Sequence, residues 1–185
     1  MGRARRCRSS SLQSGNLQTI TAADLVLEPL TVAHADTMFG VLSDPQIYRY
    51  LDYGPPPCVE HLRDVYAKLE RRKSPDGSRL WLNWVVRQLG GKPMGYVQST
   101  VFPPQTAWVA YVLSSEHWGR GYARMATHAM IQHLANAYGI TQYLATVEAE
   151  NRRSIGLLER LSFRPATSQE AQHHDLSATE RLFVR

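Results

Sequence analysis

The run AWVAYVL, Ala107 to Leu113, is rich in β-branched and aromatic residues and reads as a strand. It leads through SSEHW into Gly119-Arg120-Gly121 and then into YARMATHAMIQHLANAY, a helical run terminated by Gly139. A strand, a glycine-bearing loop and a long helix in succession constrain the chain more than any other feature. The first N–H groups of a helix have no internal partner, and the macrodipole adds partial positive charge there. Glycines let an anion approach that backbone closely, and Arg120 adds a charged donor. The same glycines would also serve merely to shape a turn, so the loop alone leaves both readings open. A Walker A loop is excluded, because no Gly-Lys-Ser/Thr follows. A dinucleotide fingerprint fits poorly, with Arg124 in place of the third glycine and Ser114 to Trp118 intervening between strand and loop.

Upstream, LVLEPL (Leu25 to Leu30) reads as a first strand. Thr31 can cap the helix that follows, VAHADTMFGVLSD, which stops before Pro45. YRYLDYGPPP reads as an aromatic loop, and Val59, Leu62, Val65, Tyr66 and Leu69 mark one side of a second helix. After the SPDG turn, LWLNWVVRQ and MGYVQSTV form a hairpin through LGGKP and continue into Ala107–Leu113. Beyond Gly139 come a strand (TQYLATVE), a helix from Arg152 to Leu161 and a closing strand, ERLFVR. This order predicts a single α/β domain: one mixed sheet with helices on both faces.

The net charge of +5 raises the question of nucleic acid, yet Arg3, Arg5, Arg6 and Arg8 account for four of those five charges. Residues 1–20 are therefore read as a flexible Arg/Ser-rich extension and 21–185 as the domain. The extension lacks the apolar core of a secretory signal. No apolar run reaches the roughly 18 residues of a membrane helix. Cys7 and Cys58 are too few and too far apart for a disulfide framework, which points to a reduced, cytoplasmic setting. His173-His174-Asp175 has no third partner for a metal, and His128 and His133 miss the i, i+4 spacing of a ligand pair.

NRRSIGLLERLSF, Asn151 to Phe163, supplies the second element. Helical spacing puts Asn151, Ser154 and Leu158 on one stripe. The glycine loop followed about thirty residues later by N-x-x-S-x-x-L-L-E-x-L-x-F closely resembles the Gcn5-related N-acetyltransferase (GNAT) superfamily. The loop motif Gln/Arg-x-x-Gly-x-Gly/Ala is matched from Trp118 to Ala123, with Trp118 at the first place. Asn-x-x-Ala/Ser followed by Leu-Gly-Phe is matched from Asn151 to Phe163, with Ser162 in place of glycine. The N-terminal half looks like the ribosomal-protein-alanine N-acetyltransferase branch.

The resemblance implies an acyl-CoA N-acyltransferase fold, its mostly antiparallel sheet splayed between two parallel strands ending at Leu113 and Val147. It implies acetyl-coenzyme A as co-substrate and no metal. Backbone groups of Val112 and Leu113 would pair with the pantetheine, with a backbone N–H near Leu113 facing the thioester oxygen. N–H groups of the loop from Trp118 through Gly119, Arg120, Gly121, Tyr122, Ala123 and Arg124 would hold the pyrophosphate, and Asn151 would contact the pantetheine.

The tyrosine that many members use as acid falls at Leu158, and the strand glutamate of histone-type members falls at Ala107. Ser154, one turn before Leu158, becomes the expected acid. Glu116, Glu148, Glu150 and Asp52 remain as bases. Lacking the strand glutamate, the site suits an α-amine or small-molecule amine better than a Lys side chain, on a monomer or homodimer that does not engage membrane. Tyr48, Tyr50, Asp52 and Tyr53 are the expected acceptor contacts. A coenzyme-binding sensor without catalysis, and nucleic-acid binding through the tail, are the alternatives.

Overall fold

The computed structural model describes residues 17–102 and 104–185. Eight strands form one sheet in the order β1-β2-β3-β4-β5-β6-β8-β7. β1 (Ile20–Ala22), β2 (Leu25–Pro29), β3 (Leu80–Gln88), β4 (Pro93–Phe102) and β5 (Thr106–Leu113) make an antiparallel meander. β6 (Gln142–Glu148) lies parallel to β5, and β8 (Glu180–Val184) closes the far side with the two-residue β7 (Arg164–Pro165). α3 (Tyr122–Tyr138) makes the crossover between the parallel pair, as a parallel connection requires.

Each face of the sheet has its own core. On one side α1 (Ala35–Leu42) and α2 (Val59–Leu69) bury Met38, Leu42, Leu62 and Tyr66 against Val85. On the other, α3 and α4 (Arg152–Arg160) cover Trp84, Val97, Leu113 and Phe183. β3 is covered on both sides, which is why LWLNWVVRQ is apolar almost throughout rather than alternating.

Trp84 is fully buried, its ring edge-on to His133, and its indole N–H donates to Gln18 O at 2.9 Å. Leu17 is buried in the same core. Residues 17–20 therefore belong to the packed body, whereas the expected extension ran to residue 20; residues 1–16 lie outside the described residues. β1, β7 and the four-residue α5 (Ser168–Ala171) also go beyond the expected elements, being too short to show a period. The aromatic loop is partly helical: Asp44 caps a 3-10 turn over Pro45–Tyr50. α3 begins at Tyr122 rather than Arg120, because Gly121 takes the left-handed conformation at its N-cap. Ser162 keeps φ 64°, the conformation that the usual glycine at this place would adopt without strain.

β4 and β5 approach each other closely where Gly95 faces Leu113. A Cβ on Gly95 would lie 2.1 Å from Val112 O and 2.7 Å from Leu113 Cα, backbone atoms that cannot swing aside. Gly95→Ala is expected to cost about 2–3 kcal/mol of stability, read as a lower urea midpoint at unchanged slope.

Candidate active site at the strand splay

β5 and β6 share only three register pairs, Thr106–Gln142, Ala107–Tyr143 and Trp108–Leu144. Beyond Trp108, β5 stays bonded to β4 up to Leu113, and β6 to β8 up to Glu148. The two strands thus part into a notch walled by polar backbone. Strand alternation fixes which groups face it. Ser114 N–H donates to Met94 O, and Val112 O lies against Gly95, so even-numbered residues of β5 turn their backbone to β4. Odd-numbered residues, Tyr111 and Leu113 among them, turn theirs to the notch. This corrects the expectation for Val112, whose N–H and C=O point away from the notch. Tyr111 takes its place.

The loop after β5 opens the notch toward α3. Gly119 and Gly121 hold φ 76° and 81°, and a Cβ at either would meet nothing within 4 Å. The space in front of them is open. Met125 N–H makes the first intrahelical bond, to Gly121 O, so the N–H groups of Tyr122, Ala123 and Arg124 have no partner inside the helix. These groups and the exposed Arg120 and Arg124 suit an anion. Trp118 locks the loop: its indole donates to Leu113 O at 2.8 Å, and Arg153 of α4 sits over its ring at 4.9 Å. The Tyr122 hydroxyl turns away, accepting from Gln88 Nε2.

On the far wall Asn151 caps α4, its Oδ1 accepting from Ser154 N–H. Ser154 is half-buried, and its hydroxyl lies 2.7 Å from the Tyr111 hydroxyl. Burial pushes the Tyr111 phenol up to about 12, against the opposing effect of the Ser154 hydrogen bond. The phenol therefore keeps its proton at neutral pH, and the pair is a donor chain along the notch. Leu158 is buried in the core and faces no solvent. Tyr111 escaped the sequence reading, although the strand's alternation already placed it on the same face as Ala107 and Leu113.

The expected acceptor residues divide. Tyr48 donates to Leu42 O at 2.7 Å, and burial raises its phenol to about 12. Tyr50 lies under Arg49, and Asp52 is exposed. Tyr53 reaches the sheet: its hydroxyl is 3.2 Å from that of Tyr96, the register partner of Val112. Farther down the same sheet face, where β5 and β6 begin to part, lies a cavity of about 370 Å³ walled by Trp81, Phe102 and Trp108. Thr146, His174 and Glu180 are among its other lining residues. Alternation on strands that read as core hid these residues. His174 lies in a polar loop with no periodic signal.

Among the described residues no cluster of His, Cys, Asp or Glu is arranged to hold a metal ion, and no helix is long and apolar enough to cross a membrane. Cys58 is exposed and free, and its thiol caps α2 at His61 N–H; Cys7 lies outside the described residues.

A parallel pair splayed beside a glycine loop and a helix start defines the acyltransferase architecture. The family described as the acetyltransferase (GNAT) domain matches residues 24–164, and the chain belongs to it. It is 26% identical over 150 residues to "uncharacterized N-acetyltransferase p20" of Bacillus licheniformis, covering 80% of this chain and 83% of that protein. The fold is similar to RimL, described as a ribosomal L7/L12 α-N-protein acetyltransferase and solved with coenzyme A. The TM-score is 0.73 and the identity 15%, covering 91% of this chain and 97% of that one. Ribosomal-protein-S5-alanine acetyltransferase from Vibrio fischeri aligns with TM-score 0.69 at 17% identity, covering 91% and 96%.

Asp44 ties the two sides of the site together, because its carboxylate accepts from Gln46 N–H at 3.0 Å and from Ser115 N–H at 2.7 Å. Hydrogen bonds from Ser115, side chain first and then backbone, hold its carboxyl below the ordinary value of 3.8. A depressed folded value means that the stabilisation is complete above 3.8 and is lost as pH falls through the lower folded value. The stability difference between the wild type and Asp44→Asn should be constant at neutral pH and shrink below pH 3.8, measured by denaturant melts across that range.

Proposed function

We propose that this N-acetyltransferase moves an acetyl group from acetyl-coenzyme A to a primary amine, with a protein N-terminal α-amine or a small-molecule amine as acceptor. The splay of β5 from β6 beside the open glycine loop carries this reading. In it, the loop and first turn of α3, Gly119 to Arg124, hold the pyrophosphate. Tyr111 and Leu113 offer backbone groups to the pantetheine, and Trp118 keeps the loop in place. Asn151 positions α4 through its Oδ1, and its side-chain NH₂ contacts the pantetheine. With the pantetheine running from the loop past Leu113, the Tyr111 N–H, nearer the splay than the Leu113 N–H that the resemblance implied, faces the developing oxyanion, a role worth about 2.7–4 kcal/mol per donor.

Ser154 is the group that returns a proton to the departing sulfur, supplied in turn by Tyr111. This answers the objection that Leu158 cannot act as an acid, on which the reading as a non-catalytic sensor rested. A coenzyme thiol near 8.5 is already a fair leaving group, so the acid's share is modest. Ser154→Ala should lower kcat about tenfold while leaving the Kd for coenzyme A within about twofold. An unchanged kcat removes Ser154 from the chemistry.

No carboxylate stands on β5 at Ala107, which is buried. Reaching the neutral amine at a given pH costs about 3.5 kcal/mol more for a Lys side chain near 10.4 than for an α-amine near 7.8. In a thiol-release assay over an amine and peptide panel, free α-amines should turn over at least about 100-fold faster than N-blocked Lys peptides. Equal rates would overturn the preference.

A further inference from the structure

Where β5 and β6 part, the sheet face opposite α3 carries the cavity walled by Trp108 of β5 and Thr146 of β6. Register pairing of β5 with β6 ends at Trp108, and the Trp108 ring stacks edge-on to His174 at 5.3 Å between centroids. His174 therefore stands one ring contact from the point where the strands part, over the cavity that Trp81, Phe102 and Thr146 line. Neither ring nitrogen of His174 has a hydrogen-bond partner among the described residues.

We propose that His174 is the base that takes the proton from the acceptor amine, which enters through this cavity; the assignment rests on the acetyl-transfer reading above. The amine nitrogen bonds to the acetyl carbon and the carbon–sulfur bond breaks. The N–H proton passes to the His174 imidazole, and the thiolate takes a proton from the Ser154 hydroxyl, which Tyr111 and then solvent replenish. A histidine is suited to this because an imidazole nitrogen can accept a proton from the amine and the opposite nitrogen can pass one on to solvent.

The other charged groups around the cavity are Arg79, Asp175 and Glu180, with Glu148 beyond Thr146 at the end of β6. Arg79 is a cation lying over the Phe102 ring at 4.7 Å, and Asp175 is exposed. The Glu180 carboxylate accepts from Ser177 N–H at 2.9 Å, which holds the turn before β8. Glu148 is the register partner of Glu180 and is farther along the strand from Trp108 than Thr146 is.

The test is steady-state kinetics by thiol release for the wild type, His174→Ala, His174→Gln, Glu148→Gln and Glu180→Gln, using an amine that the wild type acetylates. Both His174 variants should lose about 10²–10⁴-fold in kcat with the acceptor saturating, while KM for acetyl-coenzyme A holds. Free imidazole should restore part of the rate to His174→Ala, where it has room, and none to His174→Gln. His174 variants within about threefold of the wild type overturn the assignment, as does a loss that imidazole leaves untouched. The same loss confined to Glu148→Gln or Glu180→Gln overturns it in favour of that carboxylate. A wild type that releases no thiol with any amine overturns acetyl transfer itself, whereas an active wild type matched by its His174 variants overturns only the role of His174.

Discussion

Two parallel strands that bond for three residue pairs and then part are the constraint on which the rest depends. Backbone polar groups cannot be left facing an apolar interior without cost. Apart from Leu113 O, which accepts from the Trp118 indole, the odd-numbered groups of β5 left unpaired beyond Trp108 must therefore face either solvent or a ligand that can act as a strand. The splay survives because each strand is held from its outer side. β4 binds β5 along its full length, and β8 binds β6 to its end. The two cores then clamp the sheet from both faces.

Local interactions keep the gap at its width. Tyr111 of β5 touches Ser154 of α4 across it, and Arg153 of the same helix covers the ring of Trp118. Asp44 joins the segment before the aromatic loop to the segment after β5. None of these contacts is large, and half-exposed charges contribute little each. Their value is geometric: the first two link one wall to the other, and the third anchors the segment that leads out of β5.

Much of this was legible in the residues. The meander, the long helix closed by Gly139 and the glycine loop follow from period and turn chemistry, and the two spaced motifs pointed to the family. The site was less legible. The family resemblance implied that Val112 would pair with the pantetheine, yet facing is decided by register with β4, which no single strand records. Tyr48 looked like an acceptor contact, but its hydroxyl closes a turn on Leu42 O. Trp81 and Trp108 lie on strands, where a tryptophan is ordinarily packed into a core, and only the way the helices cover one end of the sheet leaves them open. His174 sits in a polar loop whose path depends on β8 pairing back against β6.

A gap that passes through a sheet differs from a pocket sunk into one face, because it has two doors. In the proposed reading the coenzyme would enter from the side of α3 and the amine from the opposite face, and neither would have to leave before the other arrived. Such a site has no need to store the transferred group on a side chain. Under the acetyl-transfer reading it would hold both partners together, and the gain would be that of converting an encounter in solution into a reaction within one complex.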